Sequence, residues 1–269
     1  MNTVIVIPAR YGSIRFPGKP LALLAGQTML ERVVCIAHRA AQQMGNTQVL
    51  VATDDARIQT HAQALKVDCI MTPTDCPTGT DRILHALTQL PNPPELVVNL
   101  QCDVPLIPVD WVVQMITALR QESVQVVTPA IQLTWELLDQ LREAKTTSPF
   151  SGTTVAINQK NQAYWFSKNI IPAIRDEALL RADTLYSPVF RHIGLYGYTF
   201  STLNEYVQLA QTPYEQLESL EQLRLLEHGY NIRIIKVTQG YYPSLSGIDT
   251  PADAERAEAL LHQLGEVNE

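Results

Sequence analysis

The chain opens on an apolar, mostly β-branched run, Val4-Ile5-Val6-Ile7, which predicts a strand buried on both faces and ended by Pro8. Apolar positions at Leu30, Val33, Val34, Ile36 and Ala37 then recur at helical spacing across Met29 to Gln43. Gln48 to Ala52 predicts a strand, and Thr53-Asp54-Asp55 supplies a cap for a helix over Ala56 to Leu65. A short strand over Asp68 to Met71 leads into a loop rich in Pro and Thr, followed by a helix from Asp81 to Gln89. Pro91-Asn92-Pro93-Pro94 marks a turn before a buried strand, Leu96 to Leu100, which empties into Gln101-Cys102-Asp103. A helix from Pro108 to Gln121 and a strand over Val124 to Thr128 complete this half. Such β-α alternation predicts a mostly parallel, doubly wound sheet.

The pattern changes in the second half. Thr153 to Ile157 and Ala163 to Phe166 predict paired strands, and Ile193 to Phe200 a longer one. Tyr214 to Glu227 reads as one amphipathic helix, Ile232 to Val237 as a strand, and Pro251 to Leu264 as a closing helix. No repeat, low-complexity tract or long linker interrupts the chain. The expectation is one continuous α/β domain with an inserted antiparallel substructure.

Composition narrows the function. With 46% hydrophobic residues over 269 positions, the chain can bury a large core. Its net charge of −7 argues against a sequence-independent grip on nucleic acid. No apolar run is long enough to span a membrane, and Met1 leads straight into a strand, so neither a span nor a signal peptide is expected. Four cysteines without metal-like spacing fit free thiols in a reducing cytoplasm.

Against this acidic background, the loop after the first strand carries Arg10, Arg15 and Lys19 with no acidic neighbour. Gly12 and Gly18 let backbone N–H groups approach a ligand, and a loop at this place in an open α/β sheet is where phosphates bind. A merely basic surface loop is the plainer alternative. The loop is not a Walker A motif, because Pro20 stands where a magnesium-binding Ser or Thr is needed; no GxGxxG occurs either.

Asp103 follows a buried strand and should emerge on the same sheet edge as the basic loop. A carboxylate facing phosphates makes sense with Mg²⁺ between them. Asp249, ahead of Thr250-Pro251, reads either as a second ligand or as an ordinary helix cap. Thr78-Gly79-Thr80-Asp81-Arg82 opens a helix and can cap it or meet a base or sugar. His192 reads on its own as a satisfied core histidine, and Glu218 to Arg224 as a solvated helix face. No HExxH or Gly-x-Ser-x-Gly occurs, so metallopeptidase and serine-hydrolase chemistry have no support.

Pro8-Ala9-Arg10-Tyr11-Gly12-Ser13-Ile14-Arg15-Phe16-Pro17-Gly18-Lys19-Pro20 closely resembles the opening motif of the 3-deoxy-manno-octulosonate (Kdo) cytidylyltransferases. The likeness continues through Ala52-Thr53-Asp54, Gly79-Thr80-Asp81-Arg82, Asn99-Leu100-Gln101-Cys102-Asp103-Val104-Pro105 and Tyr164-Trp165-Phe166-Ser167. It runs on through Arg191 to Tyr198, Leu220 to Arg224 and Gly247-Ile248-Asp249-Thr250-Pro251, in family order over nearly the whole chain.

The resemblance implies a nucleotide-diphospho-sugar transferase-like fold, a homodimer, and the reaction of CTP with Kdo to give CMP-Kdo and pyrophosphate for lipopolysaccharide synthesis; a synthetase for a related 2-keto sugar acid (amino-Kdo or sialic-type) and a nucleotide-binding paralogue with impaired turnover are the alternatives. It places the nucleotide half at 1–130, sugar-binding and dimerisation elements at 150–240, and a closing helix at 250–264. By the same resemblance, Arg10, Ser13, Arg15 and Lys19 hold the triphosphate beside Pro8 and Ala9, and Gly79, Thr80, Arg82 and Gln101 surround the cytidine. Asp103 and Asp249 match magnesium ligands, with Arg10, Arg15, Lys19 and Asp103 as the catalytic set. Arg191, His192, Tyr196, Glu221 and Gln222 match the region that receives the sugar. Cys102 and Val104 stand where the family usually has Gly and Glu, which implies a side chain crowding the nucleotide and one carboxylate fewer beside the metal.

Overall fold

Strand β1 (Thr3–Ala9) runs between two parallel neighbours and shares its residues between two cores. Ile5, Ile7 and Ala9 pack into one cluster and Val4 and Val6 into the other, as the two-residue period of a strand requires. The computed structural model describes residues 1–13, 15–121, 123–238 and 247–263. In chain order the elements after β1 are β2 (Leu23–Leu24), β3 (Gln27–Thr28), α1 (Met29–Met44), β4 (Thr47–Thr53), α2 (Ala56–Ala64), β5 (Asp68–Met71), α3 (Gly79–Thr88), β6 (Leu96–Asn99) and α4 (Val109–Leu119). The second half comprises β7 (Val126–Thr134), α5 (Trp135–Thr147), β8 (Thr154–Ile157), β9 (Ala163–Ser167), α6 (Glu177–Asp183), β10 (Tyr186–His192), β11 (Tyr196–Thr199), α7 (Phe200–Tyr206), α8 (Pro213–Glu218), α9 (Gln222–Glu227), β12 (Ile232–Val237) and α10 (Pro251–Gln263).

The main sheet runs β5-β4-β1-β6-β11-β7-β10-β8-β9, with β12 also paired to β7. Its first four strands are parallel, with Val6 opposite Leu50 on one side and Asn99 on the other. From β11 onward neighbours run antiparallel, except that β12 lies parallel to β7. The fold is thus a mixed sheet flanked by helices. One face buries Leu30, Val33, Val34 and Ala37 of α1 and Met115 and Ile116 of α4; the other buries Ile83, Ala86 and Leu87 of α3. Each large apolar side chain fully buried here stabilises by roughly 1.5–3 kcal/mol before entropy is counted. No described helix is long and apolar enough to cross a membrane.

Several boundaries differ from the sequence expectation. Pro8 does not end β1; it pairs with Ala52. Val6 gives its carbonyl to Leu100 N, so Pro8, two residues on, turns its N–H-less nitrogen to the side where β6 has already ended. Likewise β7 continues past Thr128 through Pro129 to Thr134. Of the expected strand over Ile193 to Phe200, the first three residues form a break after β10, only Tyr196–Thr199 is strand (β11), and Phe200 already begins α7. The expected helix over Tyr214 to Glu227 is two helices, because Ser219 adopts a left-handed φ of 51° between them. Helix α5 was not expected; Thr134 caps it and Trp135, Leu138 and Leu141 bury one stripe. Helix α3 starts two residues before Asp81, and Leu264 of the closing helix lies outside the described residues.

Candidate active site

The basic loop is shaped around Tyr11. Its carbonyl accepts hydrogen bonds from Ser13 N and Gly18 N, both at 2.9 Å. Gly18 has φ +72°, and a Cβ there would meet the Tyr11 ring at 3.1 Å, so both backbone and space require glycine. Gly18 opens a single 3-10 turn, Lys19–Leu21, that carries Lys19 inward. Arg10 and Arg15 stay exposed.

Lys19 Nζ donates to Asp103 Oδ2 at 3.0 Å and to Asp249 Oδ1 at 3.3 Å, while Arg15 Nη2 lies 3.1 Å from Asp249 Oδ2. Three remote segments therefore meet at one point. Asp103 is held there by its carbonyl, which accepts from Ile248 N at 2.8 Å. The cap reading of Asp249 is settled by geometry. Thr250 Oγ1 accepts from Asp253 N, and Asp253 Oδ2 accepts from Thr250 N at 2.8 Å and from Asp249 N at 3.1 Å. Thr250 and Asp253 cap α10 between them, which leaves the Asp249 carboxylate to the cations.

Across the cleft, Thr78 and Asp81 form a reciprocal capping box that fixes the start of α3. Gly79 lies against Gln101 and Pro8, and Gln101 Nε2 donates to Asn99 Oδ1 at 2.8 Å. Arg82 is buried, its Nη1 donating to Thr72 Oγ1 at 2.6 Å and its Nη2 to Asp54 Oδ2 at 2.8 Å. Together these segments enclose a cleft of about 400 Å³ at the carboxyl ends of β1 and β6. Pro8, Ala9, Arg10, Ser13, Arg15, Lys19, Gly79, Arg82, Gln101, Asp103 and Asp249 all border it. Thr80 does not; its hydroxyl donates to Glu221 Oε2 at 3.2 Å.

Of the residues expected to receive the sugar, Glu221 borders the cleft, and Arg191, His192, Tyr196 and Gln222 do not. The break between β10 and β11 brings His192 and Tyr196 together, with the Tyr196 hydroxyl 3.1 Å from His192 Nε2. Thr128 supports the break: its hydroxyl donates to Leu195 O at 2.7 Å and lies 2.9 Å from His192 Nε2. Burial, aided by the nearby Lys168 charge, pulls the His192 pKa down to about 3, so the imidazole is neutral. Burial also raises the Glu221 carboxyl, against the hydrogen bond from Thr80 and the charge of Arg224. Tyr206 donates to Glu221 Oε2 at 3.4 Å and stacks on Tyr198, which stacks in turn on Tyr196. Gln222 is 5% exposed, and its Nε2 is buried with no hydrogen-bond partner.

Three departures from the sequence reading stand out. Gln222 lies on no solvated face, because the turn at Ser219 starts a new helix that buries it, whereas Glu221 beside it stays exposed and borders the cleft. Cys102, though it borders the cleft, is 5% exposed and packs in the core, where burial pushes its thiol far up. Val104 packs against the same core. Lys168 and Tyr206 went unread; Lys168 carried the same signal as Asp103, a polar residue straight after a strand.

A sequence model of a family described as "Cytidylyltransferase" matches residues 4–234. A 3-deoxy-manno-octulosonate cytidylyltransferase of Maricaulis maris is 45% identical, covering 99% of this chain and 100% of its own length. One of Acinetobacter baumannii is 39% identical, covering 94% of this chain and 95% of its own. Among solved structures, a CMP:2-keto-3-deoxy-manno-octonic acid synthetase complexed with CTP superposes with a TM-score of 0.82 at 35% identity, covering 98% of this chain and 100% of that one.

Proposed function

This chain belongs to the 3-deoxy-manno-octulosonate cytidylyltransferase family, and we propose that its basic cleft joins CTP to a 2-keto-3-deoxy sugar acid of the Kdo type, releasing pyrophosphate. The observation that carries this reading is Lys19 bridging Asp103 and Asp249 in a cleft that is also lined by Arg10, Arg15 and Arg82. Such an arrangement suits a polyphosphate that arrives with a divalent cation. The donor set also fits Mg²⁺, since two hard carboxylates can hold it once phosphate oxygens and water complete the shell.

In this reaction the anomeric hydroxyl of the sugar acid attacks the α-phosphorus. The α–β P–O bond breaks, and its electrons leave with pyrophosphate. Arg10, Ser13, Arg15 and Lys19 grip the triphosphate, and Lys19 exchanges carboxylate oxygens for phosphate oxygens as CTP enters. Asp103 and Asp249 would hold Mg²⁺, which would supply charge neutralisation and Lewis acidity there. Gly79 and Gln101 meet the cytosine side. Arg82 acts through Asp54 and Thr72 by shaping the wall behind it, and Thr80 acts through Glu221. Glu221 meets the sugar acid at the cleft wall, and Arg191, His192, Tyr196 and Gln222 complete the set that orients it. Positioning and charge neutralisation supply most of the rate. The chain works as one domain in a cytoplasmic homodimer, with its sugar-binding and dimer-forming elements drawn from 150–240.

A pyrophosphate-release assay with each nucleoside triphosphate against a panel of 2-keto sugar acids tests the reading. CTP with Kdo should turn over fastest. Release with all triphosphates alike, or none with any 2-keto acid, would refute it.

A further inference from the structure

The basic loop is tied to an element that the proposed reaction does not use. The ring of Tyr11 has the Arg57 guanidinium carbon 3.3 Å from its centroid. Arg57 sits in the first turn of α2, and Asp55, which caps that helix, sets its direction. Arg57 Nε donates to Asp55 Oδ1 at 3.0 Å and Nη2 to Oδ2 at 2.7 Å, while the Arg57 backbone N–H donates to the same carboxylate at 2.9 Å. The guanidinium is therefore fixed at its edge by a carboxylate and offers its plane to an aromatic ring. An ammonium cannot reproduce that pair of contacts.

The contact matters because of what Tyr11 holds. Its carbonyl closes the loop onto Ser13 and Gly18, and its ring fills the space beside Gly18, from which the turn bearing Lys19 starts. Further out the loop has less support. Nothing lies within 4 Å of where a Cβ on Gly12 would be, and Arg10 and Arg15 are exposed. A line of contacts thus runs from Asp55 through Arg57 and Tyr11 to Gly18 and Lys19.

We propose that Arg57 is a positioning residue for the triphosphate loop: stacked on Tyr11 and clamped to Asp55, it holds the ring against Gly18 and so fixes the turn that presents Lys19. It touches no reacting atom. Its effect is to restrict the loop before the nucleotide arrives, so that less order has to be imposed on binding. The inference rests on reading the cleft as the CTP site.

The test is calorimetric titration of CTP into the full chain and its variants Arg57→Ala, Arg57→Lys, Tyr11→Phe, Tyr11→Leu and Arg57→Ala/Tyr11→Leu, with KM measured for both substrates. Arg57→Ala should raise the CTP Kd by about two- to fivefold, as the loss of an exposed cation–π stack predicts, with the sugar-acid KM and the melting temperature unmoved. Arg57→Lys should show most of that loss, and Tyr11→Phe almost none. The double variant should bind no more weakly than Tyr11→Leu alone. Full rescue by Arg57→Lys would mean that charge alone matters and would overturn the proposal. So would losses that add in the double variant, or an unchanged Kd in Arg57→Ala. Should Tyr11→Leu fail to fold, the Arg57→Ala, Arg57→Lys and Tyr11→Phe comparison decides by itself. If the unaltered protein binds no CTP, the reading of the cleft falls first and this inference with it; if it binds and only the Arg57 variants stay silent, this inference falls alone.

Discussion

Lys19 Nζ donates to Asp103 Oδ2 at 3.0 Å, across 84 positions of chain, with most of the lysine side chain hidden from solvent. The ammonium thus lies on the carboxylates that a divalent cation would need. Lys19→Met should weaken CTP binding by roughly 1.5–3 kcal/mol, the range for a charge-assisted hydrogen bond. In the absence of nucleotide, the same variant should bind Mg²⁺ more tightly than the unaltered protein, because Asp103 has lost its cation and Asp249 one of its two. Calorimetry with the metal alone checks this; equal affinity in both proteins would show that Lys19 does not compete.

Asp249 and its neighbours separate stability from chemistry. Asp249→Asn should abolish nearly all turnover while leaving the melting temperature in place, because the α10 cap belongs to Thr250 and Asp253. Thr250→Ala should do the reverse, costing about 1 kcal/mol of stability as lost caps do. Thermal melts beside initial rates give the answer. A large loss of stability in Asp249→Asn would restore its cap role.

His192 predicts an acid sensitivity with a definite sign. Its folded pKa of about 3 lies below that of an unfolded histidine. The unfolded chain therefore binds a proton that the folded chain refuses as pH falls. This contribution is complete above about pH 6.5 and is lost progressively down to about pH 3. At most it changes stability by ~1.4 kcal/mol per pH unit inside that window. Urea unfolding at pH 7 and pH 5 should show a shallower loss for His192→Phe than for the unaltered protein. Parallel losses would mean that the imidazole protonates in the fold.

Gly197 sits in β11 beneath α4. A Cβ there would fall 2.5 Å from Leu119 Cδ1 and 2.8 Å from Val127 Cγ2. Gly197→Ala should destabilise by about 1–3 kcal/mol through overpacking, without changing the CTP Kd. A melt and a titration on the same sample decide it.

What the sequence disclosed follows the reach of local rules. The strands over Asp68 to Met71 and Ile232 to Val237 were legible to the residue, the second because a run rich in β-branched residues leaves little choice. The basic loop and Asp103 were legible as partners because parallel strands share a carboxyl edge. Pro8 was read as a stop because a proline lacks an N–H; its nitrogen instead faces the place where β6 has ended, which is tertiary information. The same holds for Ser219, whose left-handed backbone carries no strong local signal yet separates the two helices so that Gln222 is buried and Glu221 meets the cleft. Arg57 was invisible because its partner Tyr11 is remote in sequence and the contact depends on where α2 lies.

The meeting of Lys19 with Asp249 spans 230 positions, and that has a consequence for the timing of synthesis. A nascent chain can pair β1 with β4 and β6 long before its end is translated. The cleft at their tips nevertheless lacks the Asp249 carboxylate, and the prop beneath Asp103, until the segment around Ile248 and Asp249 has left the ribosome and docked. A chain interrupted ahead of that segment would own a sheet and a basic loop but no finished binding place, so fragments released early cannot hold the nucleotide as the complete enzyme does.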